Sequence, residues 1–325
     1  MSTIGPLYTF FDIVEFMRYY IWITEISGGI MKKQTAILLL IIVTVIWGGG
    51  FVGIKISLDC GVSAGTLNMI RGFIFTMVVF SAFPKQVLGM SKQQFISGLW
   101  VGIFNYIGFI LQAIGALYTT PGNSSFLTVT NVVMVPFLAW AIYKVRPKMR
   151  NIIAVAVCMV GMAVLTGVVG TEFVLNIGDV YTIAGAAGFA MSIVLLAQQP
   201  QGGHFARGSF MLGITLFLGG ALYAIVFEKI TFASLALVDW KTALLPIIYL
   251  SVGSNFVAQS LQIVAQRYLS ATTACLVLTL EGVFGCLFSV MWGFEKFTVN
   301  LVLGGALIMA SLILSEIQVV KPKKS

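Results

Sequence analysis

Ten apolar runs, each about as long as a bilayer core is thick, occupy this chain from Ala36 to Ile317. A hydrocarbon core of roughly 30 Å takes about 20 helical residues per crossing. Cut at charged and Gly/Pro-rich breaks, the runs are Ala36–Ser57, Thr66–Phe83, Phe95–Leu117, Gly122–Tyr143, Asn151–Val169, Gly178–Gln198, Ser209–Phe227, Leu244–Gln266, Ala271–Trp292 and Leu301–Ile317. They are continuous rather than alternating, so the spanning element is a helix and not a barrel strand. A mean hydropathy of +1.01, with 59% hydrophobic and 9% charged residues, excludes a soluble core of ordinary composition. The expected fold is an all-α integral membrane protein of ten transmembrane helices, with the lipid bilayer as its first partner.

The net charge of +8 reports topology. With the N-terminus inside, one set of loops holds Lys32, Lys33, Lys85, Lys92, Lys144, Arg146, Lys148, Arg150, Arg207, Arg267, Lys321, Lys323 and Lys324. The other set holds only Lys229, Lys241 and Lys296. That asymmetry places both termini in the cytoplasm of a cell membrane, in the bacterial manner, and no nucleic-acid partner is expected. Cys60, Cys158, Cys275 and Cys286 lack CxxC spacing, so neither a metal site nor a cofactor is expected. Residues 1–30 differ from the rest: Leu7 to Ile26 carries Asp12, Glu15, Arg18 and Glu25. The extension is either an interfacial helix or a mis-called start upstream of Met31-Lys32-Lys33.

The segment Asn105 to Tyr118 returns as Asn255 to Tyr268, with Leu111 opposite Leu261 and Gln112 opposite Gln262. The same offset of 150 sets Asn131 opposite Glu281. The chain thus divides into a first five-helix repeat, 31–169, and a second, 170–325, with a basic tail. Five is odd, so the second repeat crosses the membrane in the opposite sense. Inverted repeats build alternating-access carriers whose sites lie near the midplane, at the repeat interface.

Polar residues inside the runs form the candidate substrate site: Trp47, Asn105, Gln112, Asn131, Asn255, Gln259, Gln262 and Glu281. Asn105 and Gln112, seven apart, share a helix face. Ser251, Asn255, Gln259, Gln262 and Gln266 make a stripe that cannot face lipid without several kcal/mol of cost. Two readings of the stripe remain open, hydrogen-bonded glue between helices and a pocket wall. Trp47 opens the run Trp47-Gly48-Gly49-Gly50-Phe51, where three glycines weaken a helix by about 1 kcal/mol each; close packing and a ligand approach both account for them. Glu281 lies ten residues into its run, about 15 Å deep. A midplane ionisable group marks a functional site by default, the competing reading being a structural carboxylate bonded to Asn or Gln. Desolvation disfavours its charged form, which fits a group that loads and releases a proton. Lys55 and Arg71 read as snorkelling or as partners of Asp59, with anion binding as the alternative. Pro136 is expected to kink its helix, and His204, alone in a polar loop, to be solvated.

Trp47-Gly48 with Phe51, Leu67-Asn68-Met69-Ile70-Arg71, Tyr118-Thr119-Thr120 with Phe126-Leu127-Thr128, Val135-Pro136, Leu280-Glu281, Gly293-Phe294-Glu295 and Gly304-Gly305-Ala306-Leu307-Ile308 together resemble the ten-helix branch of the drug/metabolite transporter superfamily, with two EamA-type repeats. The resemblance spans roughly residues 36–317. It implies a cavity between the halves lined mainly by spans 1, 3, 4, 6, 8 and 9, with spans 5 and 10 peripheral. It also implies export of small metabolites or amino acids, without naming a substrate. Gly282 stands where members commonly have proline, which puts a kink in span 9 in doubt. A facilitator or importer of the same fold, or a receptor or lipid-handling scaffold, is the alternative. An enzyme would need convergent acids, histidines or a nucleophile with its base, which one loop histidine and one midplane carboxylate do not supply.

Overall fold

The structure, a computed structural model, describes residues 31–144, 146–165, 176–198 and 204–316. The extension 1–30, the last residues of the fifth and tenth runs and the basic tail lie outside the described residues. The long helices are α1 Lys33–Asp59, α2 Ala64–Ala82, α3 Lys92–Ala116, α4 Pro121–Tyr143, α5 Met149–Leu165, α6 Ile177–Leu196, α7 Phe205–Val226, α8 Trp240–Gln266, α9 Ala271–Met291 and α10 Val299–Glu316. Eight of them are long and apolar enough to cross a membrane, α5 and α10 being shorter apolar helices. Each expected run is a helix, with ends moved by a few residues where a cap fixes them. Asp239, for example, accepts from Thr242 N at 3.3 Å and starts α8 four residues before Leu244. Thr120 and Ser270, at the repeat offset, cap α4 and α9 through Asn123 N (3.2 Å) and Thr273 N (3.1 Å). His204 is half-buried rather than free in a loop: its Nδ1 accepts from Ala206 N at 3.2 Å at the start of α7, and its ring packs on Phe83 and Phe205.

Helix pairing follows a two-fold exchange of the halves. α2 packs along α7 and α5 along α10, each helix against its own counterpart. α3 against α6 is answered by α8 against α1, and α4 against α6 by α9 against α1. Small residues permit the self-paired contacts, since a Cβ on Gly72 would stand 2.2 Å from Phe217 N and one on Gly304 2.4 Å from Leu165 N. At the Asp59 end of the bundle, second-half groups bind first-half helix starts. Glu228 accepts from Gly65 N at 2.8 Å and from Ser63 Oγ, Glu295 accepts from Thr120 Oγ1, and Asn123 Nδ2 donates to Asp179 Oδ1 at 2.8 Å. At the Lys33 end Arg207 donates to Gln86 O and to Gln94 Oε1, both at 3.0 Å.

Three helices are irregular near mid-length. α4 is interrupted at 129–130, and Pro136 stays inside the segment Asn131–Tyr143, so the interruption precedes the expected proline kink. α9 is interrupted at Thr279 with no proline, so the Gly282 substitution does not keep it regular. Both interruptions carry the same device: Thr130 Oγ1 donates to Leu127 O and Thr279 Oγ1 to Leu276 O, each at 2.6 Å, competing for carbonyls the helix would otherwise use. α8 widens into a π-helix over Tyr249–Ala258, just after Pro246, whose missing N–H already leaves one helical carbonyl without its donor.

Candidate functional site

The irregular stretches of α4, α8 and α9 border one cavity of about 50 Å³. Its wall takes Trp47, Gly50, Phe51 and Ile54 from α1, Arg71 from α2, Asn105, Phe109 and Gln112 from α3, and Thr128 and Asn131 from α4. The second half adds Phe189, Ser192 and Ile193 from α6, Ser254, Gln259 and Gln262 from α8, and Leu278 and Glu281 from α9. Among the described residues no part of α5 or α10 reaches it. All lining residues except Trp47 and Phe189 are buried.

The structure therefore brings Trp47, Asn105, Gln112, Asn131, Gln259, Gln262 and Glu281 together on one wall system. Trp47 Nε1 donates to Ser254 O at 3.0 Å and so ties α1 to the π-helix. Gln112 Nε2 donates to Thr128 Oγ1 at 3.1 Å, and Gln259 Nε2 to Asn105 Oδ1 at 3.3 Å. That last bond crosses between the halves, from Gln259, which stands opposite Phe109 at the offset of 150, to Asn105. Asn131 Oδ1 accepts from Cys275 Sγ at 3.4 Å. Gln262 and Glu281 make no hydrogen bond among the described residues, which removes the expected Asn or Gln partners of a structural carboxylate. Glu281 is 6% exposed, and that exposure is to the cavity.

Asn255 is not on the wall; it stands behind it. Its Oδ1 accepts from Arg71 Nη2 at 2.8 Å, and the pair is fully buried. Arg71 neither snorkels nor meets Asp59, which instead pairs with Lys55 at 3.0 Å. The side chain is 0% exposed and turns inward, with Cζ 4.7 Å from the centre of the Phe109 ring. Sequence reasoning placed an arginine near a span end at the interface; only the Asn255 partner in the other half reveals the inward course. The α8 stripe divides four ways: Ser251 bonds back to Ile247 O at 2.6 Å, Asn255 holds Arg71, Gln259 and Gln262 face the cavity, and Gln266 Nε2 donates to Ile193 O at 2.6 Å. The glycine run divides likewise. Gly48 lets α1 approach α9, where an added Cβ would lie 2.5 Å from Phe284 Cβ, whereas Gly50 borders the cavity.

Comparison with known proteins adds three findings. Residues 34–167 and, separately, 176–316 match the EamA-like transporter family. An uncharacterized transporter of Archaeoglobus fulgidus is 30% identical over 289 residues, which are 89% of this chain and 88% of that protein. A protein of known crystal structure shares the fold at 17% identity with a TM-score of 0.67, over 88% of this chain and 97% of its own.

Proposed function

The chain belongs to the EamA-like transporter family, and on that premise we propose that it is a secondary carrier that moves a small metabolite or amino acid by alternating access. The halves 31–169 and 170–325 rock against each other about the buried cavity. The observation that carries this reading is the cavity itself: both halves build its wall, and the Gln259–Asn105 bond joins them across it. A site at the interface of two exchanged halves changes its exposure when they tilt. Glu281 supplies coupling as the proton carrier, since it is buried, borders the cavity and has no hydrogen-bond partner among the described residues. The protein sits in the cell membrane with both termini cytoplasmic, the loop charges supporting that orientation. In this orientation the Glu228, Glu295 and Asp179 contacts close the outer end, and the direction of net transport is export. The experiment is uptake and efflux in proteoliposomes over a panel of amino acids and small amines, with and without a pH gradient. Saturable flux driven by the gradient supports the reading. Binding without flux across the whole panel assigns the protein to reception instead.

A further inference from the structure

Arg71 is a buried cation that the transport cycle proposed above does not use. A guanidinium taken out of water loses several kcal/mol of hydration, which hydrogen bonds and opposite charge must replace. The protein replaces little of it. Asn255 Oδ1 takes one hydrogen of Nη2, and Cζ stands 4.7 Å from the centre of the Phe109 ring. Nε and Nη1 have no hydrogen-bond partner among the described residues, and no ion pair forms between Arg71 and Glu281 although both border the cavity.

The geometry of the free donors specifies what fits. A guanidinium presents five N–H groups in a planar fork, whose edges match the two oxygens of a carboxylate. Whichever hydrogen of Nη2 Asn255 occupies, the other still forms a complete two-donor edge with the free Nε–H or Nη1–H. The Asn255 bond and full burial hold the fork in place, so little rotamer entropy is lost when an anion docks on that edge. Phe51, Phe109 and Phe189 give the cavity an apolar side for the rest of such a molecule.

We propose that Arg71 seats the carboxylate of the transported molecule, with Asn255 as a positioning residue that acts only through Arg71. The substrate is therefore a small carboxylate-bearing compound with an apolar or zwitterionic body, and an amine or neutral drug without a carboxylate is excluded. This rests on the carrier reading for the word transported, but the binding site stands or falls separately.

The test uses the purified full-length protein, with the proteinogenic amino acids and simple monocarboxylates as probes, each beside its methyl ester and its decarboxylated amine. Binding is read as ligand-induced thermal stabilisation in detergent, and flux in proteoliposomes. At least one acid is expected to bind at least about tenfold more tightly than its ester and amine, as loss of one charge-assisted bidentate contact implies. Arg71→Lys and Asn255→Leu should each remove most of that preference, with binding of the acid falling toward that of the ester. The acid-to-ester comparison needs no variant, so a variant that fails to fold does not spare the proposal. Esters or amines that bind as tightly as the acids overturn it, as does a panel in which no carboxylate binds. Preferential binding of an acid without flux keeps the Arg71 site and rejects the carrier; flux of amines without preference for acids keeps the carrier and rejects the site.

Discussion

Alanine placed in turn at Gly48, Gly49 and Gly50 separates helix packing from cavity shape, because three neighbouring methyl groups would meet three different surroundings. Each replacement relieves the glycine penalty in a helix, about 1 kcal/mol. At Gly48 the new Cβ lies 2.5 Å from Phe284 Cβ and 2.9 Å from Gly285 N. Carbon atoms pack best at roughly 3.5–4.0 Å, and the obstruction includes backbone, so α1 and α9 must part by about 1 Å. Overpacking of this kind costs about 1–3 kcal/mol, and the rigid backbone on the receiving side puts Gly48→Ala at the upper end, for a net loss of about 1–2 kcal/mol. At Gly49 the methyl meets the Tyr249 hydroxyl at 2.6 Å and displaces its bond to Ile46 O. That bond is worth about 1 kcal/mol, so Gly49→Ala comes out near neutral. At Gly50 the nearest atom is Ser254 Oγ at 3.5 Å, ordinary contact. Gly50→Ala should therefore gain about 1 kcal/mol while adding a methyl to the cavity wall and reducing flux. Thermal unfolding of the three variants in one detergent, with flux in proteoliposomes, should rank stability as Gly50→Ala, Gly49→Ala, Gly48→Ala. A Gly48→Ala protein as stable as Gly50→Ala would refute the close approach of α1 and α9.

Gln262→Ala should lose no hydrogen bond and so leave stability nearly unchanged, yet lower substrate affinity; Gln266→Ala should cost about 0.5–1.5 kcal/mol through its lost bond to Ile193 O, which keeps its helical bond from Ala197 N, and leave affinity unchanged. Equilibrium unfolding and binding on the two proteins check this, and identical behaviour of both would contradict the division of the α8 stripe. Thr279→Val removes the hydroxyl bond to Leu276 O and should let α9 close its interruption, with slower amide exchange at residues 279–282 and reduced flux. Unchanged exchange there would show that the threonine does not hold the break.

Much of this arrangement was legible because bilayer crossing and helix periodicity are local rules. The apolar runs located ten helices, and the seven-residue spacing of Asn105 and Gln112 put both on one face, which the structure turns to the cavity. The α8 stripe was legible as a buried face, but not its division, since the π-helix after Pro246 alters which residues share a direction. The snorkelling and Asp59-pairing readings of Arg71 failed because its inward course depends on Asn255, distant in sequence and in the other half. A hint was present: Lys55 and Asp59 are four apart on one helix and satisfy each other, which leaves Arg71 without that partner. Thr130 and Thr279 sit near the repeat offset, but a threonine inside an apolar run does not announce whether its hydroxyl breaks the helix or merely bonds back to it.

Proton coupling through Glu281 is tested most directly by Glu281→Gln, which keeps size and removes the titrating group. The measurement is accumulation of a transported probe in proteoliposomes under an imposed pH difference, beside exchange of the same probe at equal pH. The variant should bind the probe and exchange it, and should lose accumulation driven by the pH difference. Glu281→Gln protein that still concentrates the probe in response to the gradient would contradict the assignment of Glu281 as the proton carrier.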